Sequence, residues 1–215
     1  MKTTRLIASL IVLLLLSSQA LSQSQEVPKF EVAAEFTTLE RDNFSGQRTE
    51  PGVGARFTFN LNRVVSLETA AYFFPKRCFD CNNNGRVTEV LGGMKVGKRF
   101  ENWGIFAKAR PGVVSFSKGD FDILAVPSSP GFPFTFQVNR LNTFATDIGG
   151  VIEFYPSKRI VTRFDAGDTI IHFNRRTSHF ITFDPATSTF GLVPFTLPAR
   201  TTHNFQFMAS VGFRF

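Results

Sequence analysis

From about residue 29 onward, apolar and polar side chains alternate with a period of two, and the helical period of 3.6 is nearly absent. The clearest run is the last. Phe205, Phe207, Ala209, Val211, Phe213 and Phe215 alternate with Asn204, Gln206, Met208, Ser210, Gly212 and Arg214. The runs from Gly52 to Asn62 and from Thr143 to Phe154 are equally regular. Read in order, the pattern predicts eight strands, near 29–38, 52–61, 64–73, 87–96, 103–114, 142–154, 160–171 and 203–215. Most have the ~9–11 residues of a tilted membrane-crossing strand. Their connections alternate in length: short at Asn62-Arg63, Gly97 to Asn102 and Tyr155 to Arg159, long at 39–51, 74–86, 115–141 and 172–202. Short turns at one end and long loops at the other are the outer-membrane pattern, with periplasmic turns and extracellular loops. The alternation seen at Val126 to Val138 and Phe180 to Phe183 suggests that hairpins extend above the bilayer. An open sheet edge in hydrocarbon costs several kcal/mol per unpaired backbone group, so the first and last strands are expected to pair and close a barrel.

The first residues read differently. Lys2 and Arg5 precede an apolar run, Leu6 to Leu16, and Ala20-Leu21-Ser22 supplies small residues for cleavage. The run is about half the ~20 residues of a spanning helix. Residues 1–22 are therefore expected to be a cleaved signal peptide, and 23–215 one barrel domain. Mean hydropathy is near neutral, as it is for a barrel that shows lipid only every second side chain. With 27 Phe against 1 Trp and 2 Tyr, there are too many rings for the interior of an eight-stranded barrel, which side chains just fill. The rings are accordingly expected to face outward, with several (Phe30, Phe59, Trp103, Phe154, Tyr155, Phe215) in girdles at the strand ends. The inward set is small or charged: Ala33, Gly54, Ala70, Gly93, Gly104, Gly149, Gly167 and Gly212, with Glu31, Glu35, Arg56, Glu68, Glu89, Lys95, Lys108, Arg110, Asp147, Glu153, Arg163, Asp165 and Arg214. The two signs nearly balance. A lumen plugged by paired charges is expected, because buried charges persist only when paired; a narrow porin-like path for small solutes or ions is the alternative. A third reading is a secreted soluble barrel around an apolar ligand. The net charge of +7 forms no Lys/Arg block, and no nucleic-acid partner is implied.

The C-terminal residues Phe207, Ala209, Val211, Phe213 and Phe215 resemble the assembly signal of outer-membrane barrels, which implies the barrel-insertion machinery as a partner. Gly149-Gly150-Val-Ile-Glu-Phe-Tyr-Pro156 and Arg163-Phe-Asp165-Ala-Gly-Asp168 are similar to the last hairpin of the outer membrane protein A and opacity type. The resemblance spans the mature chain. It implies an all-β, closed, antiparallel up-and-down barrel in a bacterial outer membrane, in contact with its lipid. No peptidoglycan-binding domain follows, so wall anchoring is not implied, and a monomer is expected.

Three groups could carry other chemistry. Cys78 and Cys81 are the only cysteines, and in an exported chain they are expected to form a disulfide that staples the loop. Asp80, Asn82, Asn84 and Gly85 match the first positions of a calcium loop, but Leu91 stands where the bidentate Glu belongs and Glu89 falls two residues short. An Asn-Gly turn is the simpler reading, and no metal or cofactor is expected. His172, His179 and His203 show no His-x-Ser spacing on a strand, so no enzyme is expected. The long loops carry Phe121, Phe132, Phe134, Phe136, Phe180, Phe183, Phe190 and Phe195 among prolines. These rings either pack on one another as a cap or offer an extracellular ligand or protein an apolar surface.

Overall fold

The computed structural model describes residues 27–43, 46–78, 84–126, 134–186 and 189–215. These form ten strands: β1 (Phe30–Asn43), β2 (Gly46–Asn60), β3 (Val65–Cys78), β4 (Asn84–Arg99), β5 (Trp103–Ala125), β6 (Phe134–Phe154), β7 (Ile160–Phe173), β8 (Arg176–Asp184), β9 (Thr189–Leu197) and β10 (Arg200–Arg214). Eight of them close into an antiparallel barrel in the order β1-β10-β7-β6-β5-β4-β3-β2, and β8 pairs only with β9. Closure runs from Glu31↔Arg214 to Leu39↔Gln206. All eight expected strands are present. The leader expected at 1–22 lies outside the described residues.

The strands run further than expected at the loop end, and β4 also runs past its expected end at the turn end, to Arg99. Residues 39–51, expected as a loop, continue the β1–β2 ladder up to Asn43↔Gly46. The segment 74–86 holds the ends of β3 and β4, with an irregularity between Phe74 and Cys78. The 115–141 connection is strand as far as Ala125↔Phe134, and 172–202 contains the separate β8–β9 hairpin. In the first two the sequence turns polar, so backbone pairing persists where the hydrophobic period is lost. In the last two the alternation at Val126 to Val138 and Phe180 to Phe183 had suggested hairpins above the bilayer, and β6 and the β8–β9 hairpin are found there within the described residues.

The faces divide as the sequence implied. Phe36, Phe57, Phe144, Phe205, Phe213 and Phe215 are exposed on the outer wall, while the alternate residues are buried inside. Inner-wall backbones approach closely. Gly149 pairs with Gly167, and a Cβ on Gly149 would lie 2.3 Å from the Ala166 carbonyl oxygen, whereas one on outward Gly150 would meet nothing within 4 Å. Two corrections concern rings. Tyr72, Phe74, Phe106, Phe116 and Phe173 are buried inside the barrel; most of them fall at or beyond the expected strand ends, where the inward phase could not be followed. Tyr155, assigned to a girdle, is half-buried: its hydroxyl donates to Glu153 Oε2 (2.8 Å) and Arg214 covers its ring (4.3 Å).

The turn end is tied into a continuous rim. Asn60 N–H donates to Lys29 O (2.8 Å), Gly97 to Val64 (2.9 Å), Tyr155 to Asn102 (2.8 Å) and Arg214 to Arg159 (2.8 Å). Rings cluster there: Phe30 lies 5.3 Å from Phe59 and 5.8 Å from Phe215, and Phe100 stacks on Trp103 at 4.2 Å. At the loop end the β8–β9 hairpin docks on β5 through polar contacts. Arg176 donates to Gly119 O (2.8 Å), Ser178 Oγ to Phe121 O (2.7 Å) and the His179 N–H to Asp122 Oδ1 (2.9 Å). These side chains cover the β5 edge that β4 leaves open above Asn84↔Lys118.

Candidate functional site

Every strand of the barrel sends polar side chains inward, because an inner wall this narrow leaves room for them only where a neighbour supplies the opposite charge or a hydrogen bond. All thirteen residues expected to be lumen charges are buried, and three more join them: Arg41, Glu50 and Arg99. Among the described residues the interior thus holds eight acids and eight bases.

At the turn end, Glu31 Oε1 accepts from Asn60 Nδ2 (3.0 Å) and pairs with Arg214 (3.3 Å), and Arg99 donates to Asn60 Oδ1 (2.5 Å). The middle is a network centred on Arg163. Its guanidinium binds Asp165 (2.5 and 2.7 Å) and Glu68 in bidentate fashion, and reaches Glu153 at 3.5 Å. Lys95 bridges Glu153 and Glu68, the latter at 3.4 Å. Lys108 bridges Asp147 (2.8 Å) and Asp165 (3.2 Å), and Arg110 holds Asp147 through two donors (2.9 and 2.6 Å). Arg56 pairs with Glu35, whose second oxygen accepts from Tyr72 (2.5 Å). Glu89 differs from the other buried acids: its Oε2 accepts from Gln206 Nε2 (2.9 Å), and among the described residues no cation lies within salt-bridge distance.

Toward the loop end the interior becomes apolar. Leu39, Phe74, Val87, Val114, Phe116, Ala145, Ile171 and Phe173 form one buried cluster with Leu141 against it, drawn from β1, β3, β4, β5, β6 and β7. Phe116 and Phe173 pack at 5.7 Å. Above them Arg41 lies 5.1 Å over the Phe116 ring and pairs with Glu50 at 2.9 Å. This layer, with Arg41, Glu50 and Arg99, is what sequence reasoning missed. Carrying the period of two past the assumed strand ends would have found Arg41 and Phe116 on the inward phase of β1 and β5.

The remaining candidates fall elsewhere. Asp80, Cys81 and Asn82 lie outside the described residues; Cys78 closes β3 and Asn84 opens β4. Gly85 has φ 102°, the left-handed conformation of a turn glycine. The three imidazoles are separate. His172 Nδ1 meets Thr201 Oγ1 (3.0 Å), His179 Nδ1 meets Asp122 Oδ1 (3.0 Å) and His203 Nδ1 meets Asp168 Oδ2 (2.6 Å). Hydrogen bonds from the His179 ring and backbone hold the Asp122 carboxyl below the ordinary range. The residues of the expected C-terminal signal lie on β10 and just after it, facing outward. Of the loop rings in described residues, four form exposed pairs, Phe121–Phe136 at 5.8 Å and Phe183–Phe190 at 5.1 Å; Phe180 and Phe195 are also exposed, and Phe134 is buried. Phe132 is outside the description.

No family model and no curated protein matches this chain. Solved structures do. Neisserial surface protein A is 9% identical, with a TM-score of 0.51, the match covering 89% of this chain and 100% of that one. The attachment invasion locus protein Ail of Yersinia pestis, solved with the heparin analogue sucrose octasulfate, is 8% identical with a TM-score of 0.50, over 88% of this chain and 100% of that one. Both are eight-stranded outer-membrane barrels. Identity this low speaks to architecture alone, and in architecture the chain is an eight-stranded β-barrel of the outer-membrane type.

Proposed function

We propose that this chain is an exported, non-enzymatic protein of a bacterial outer membrane, closed to solutes, that acts through its loop end at the cell surface. The observation that carries the reading is the division of the wall. An apolar, ring-rich outer face encloses an interior in which, among the described residues, seven acids and seven bases lie beneath an apolar layer and Glu50 meets Arg41 above it, every acid but Glu89 having a cation partner. Outer-face rings gain about 25 cal/mol per Å² when lipid replaces water, and buried charges are tolerable only in such a paired state. A secreted barrel around an apolar ligand would need the opposite arrangement.

The rest of the reading follows from this placement. Residues 1–22 direct export, the short turns face the periplasm, and the last strand is presented to the insertion machinery. Cys78 and Cys81 close a disulfide in the oxidising compartment. β5 and β6, at 23 and 21 residues, are about twice the length a span requires, so they carry Phe121 and Phe136 well clear of the membrane.

Spin labels at Phe57, Phe144 and Phe207 test the membrane orientation. Frequent collisions with oxygen and few with a water-borne quencher are expected at all three. Planar bilayers test closure, where no reproducible unitary openings are expected. Strong aqueous collisions at all three labels, or discrete openings, would overturn the respective half of the reading.

A further inference from the structure

The exterior charge is distributed unevenly between the two ends. At the loop end, basic side chains are interspersed with Glu40, Asp120, Asp122, Asp168 and Asp184. At the turn end, among the described residues, exposed Lys29, Lys98, Lys158 and Arg159 and half-buried Arg63 face a single acid, Glu101. Each cation lies within three residues of an outward apolar side chain at the rim: Lys29 beside Phe30, Arg63 after Leu61, Lys98 before Phe100, and Arg159 beside Ile160. Lys98 lies 5.3 Å over the Phe100 ring. The backbones of Lys29 and Arg159 are fixed by rim hydrogen bonds to Asn60 and Arg214.

We infer that this collar selects anionic phospholipid headgroups around the turn end of the barrel; the inference rests on the membrane reading above. Two features point to a lipid annulus and not to a docked macromolecule. The cations are distributed round the circumference, just before β1, on β4, in the β2–β3 turn and in the β6–β7 turn, instead of forming one patch. They also stand just beyond the rings that mark the hydrocarbon boundary, at the depth of lipid phosphates. Cationic side chains near an anionic bilayer surface are attracted with a strength that decays within a Debye length.

Trp103 is the single tryptophan of the chain and sits in this rim, so it reports on the lipids it touches. The full mature chain is refolded into phosphatidylcholine vesicles containing, at equal mole fraction, either brominated phosphatidylglycerol or brominated phosphatidylcholine. Brominated phosphatidylglycerol should quench Trp103 more, by about two- to threefold at low salt. The excess should vanish at about 1 M salt, where the Debye length is about 3 Å. It should also shrink in the variant K29Q/K158Q/R159Q, which leaves Lys98 and the Phe100–Trp103 stack intact. Equal quenching by both lipids overturns the inference while leaving the membrane reading in place. So does an excess indifferent to salt and to the variant, or a collar that binds a soluble anionic polysaccharide with no lipid preference. Quenching by neither lipid overturns the membrane reading itself.

Discussion

Arg163→Met removes the hub of the interior network without altering strand pairing, and its consequences can be worked from the contacts. Three carboxylates lose a partner, but none is stranded. Glu68 keeps Lys95 at 3.4 Å and Arg110 at 4.0 Å, Glu153 keeps Lys95, and Asp165 keeps Lys108 at 3.2 Å. Breaking a buried ion pair from one side costs about 3–5 kcal/mol; the retained cations place this substitution near the lower end, about 3 kcal/mol. The interior is then left with eight acids against seven bases. Adding Asp165→Asn removes the carboxylate that Arg163 held through two donors and restores parity. The double variant is therefore expected to recover about 1–2 kcal/mol over Arg163→Met alone. Urea unfolding from lipid vesicles, followed by Trp103 emission, measures both; heat-modifiable gel migration gives an independent reading of the folded fraction. A double variant no more stable than Arg163→Met would refute the reasoning, because it would mean that Asp165 is not energetically coupled to Arg163.

Further expectations separate the two faces and the two ends. Phe116→Ala, in the buried apolar layer, should cost about 3–5 kcal/mol in the same unfolding assay, while Phe121→Ala on the exposed hairpin should stay within about 0.5 kcal/mol. Gly149→Ala, whose Cβ would meet backbone at 2.3 Å, should lower refolding yield sharply; its neighbour Gly150→Ala, with open space outside, should be neutral or slightly stabilising. Asp122→Asn should loosen the β8–β9 hairpin, seen as faster amide exchange in 176–184. Because the Asp122 carboxyl is held below its ordinary value, first by the His179 ring and then by backbone donors, its contribution is full above about pH 4 and is lost as pH falls through the depressed folded value. Exchange protection should follow that acid limb in the native chain and flatten in Asp122→Asn; unchanged exchange in the variant would leave Arg176 and Ser178 as the anchors.

How far the fold could be read depended on which solvent each stretch meets. Where the outer face meets an apolar medium, every second residue is constrained, so Phe57, Phe144 and Phe207 marked their strands and fixed their phase. Past that belt the constraint lapses. Glu40, Arg41 and Asp42 pair with Thr49, Arg48 and Gln47 across β1–β2, yet their sequence resembles a polar loop. The interior ions were legible because they lie on the same phase as the small residues. Arg41 and Glu50 were lost with the strand ends that carry them, and with them the apolar layer, since Phe116 and Phe173 stand among residues taken for loops. No local signal distinguishes an inward Phe74 from an outward Phe73; only the phase carried from Glu68 and Ala70 does so.

The loop end itself argues about what its rings are for. A cap that packs on itself would use them to attach the hairpin, burying each against β5. The attachment is instead polar: Arg176, Ser178 and His179 bind backbone oxygens and a carboxylate of β5. Meanwhile Phe121 pairs with Phe136 on the β5–β6 extension and Phe183 with Phe190 on the hairpin, each ring still about half exposed. Scattered exposed apolar residues are ordinary, but here the rings stand in two pairs, one stacked on the long β5–β6 extension and one tilted on the separate β8–β9 hairpin. Among the described residues this is the surface whose exposed rings lie outside both the belt and the buried cluster. Its separation of polar attachment from apolar display favours contact with a partner over closure of the barrel mouth.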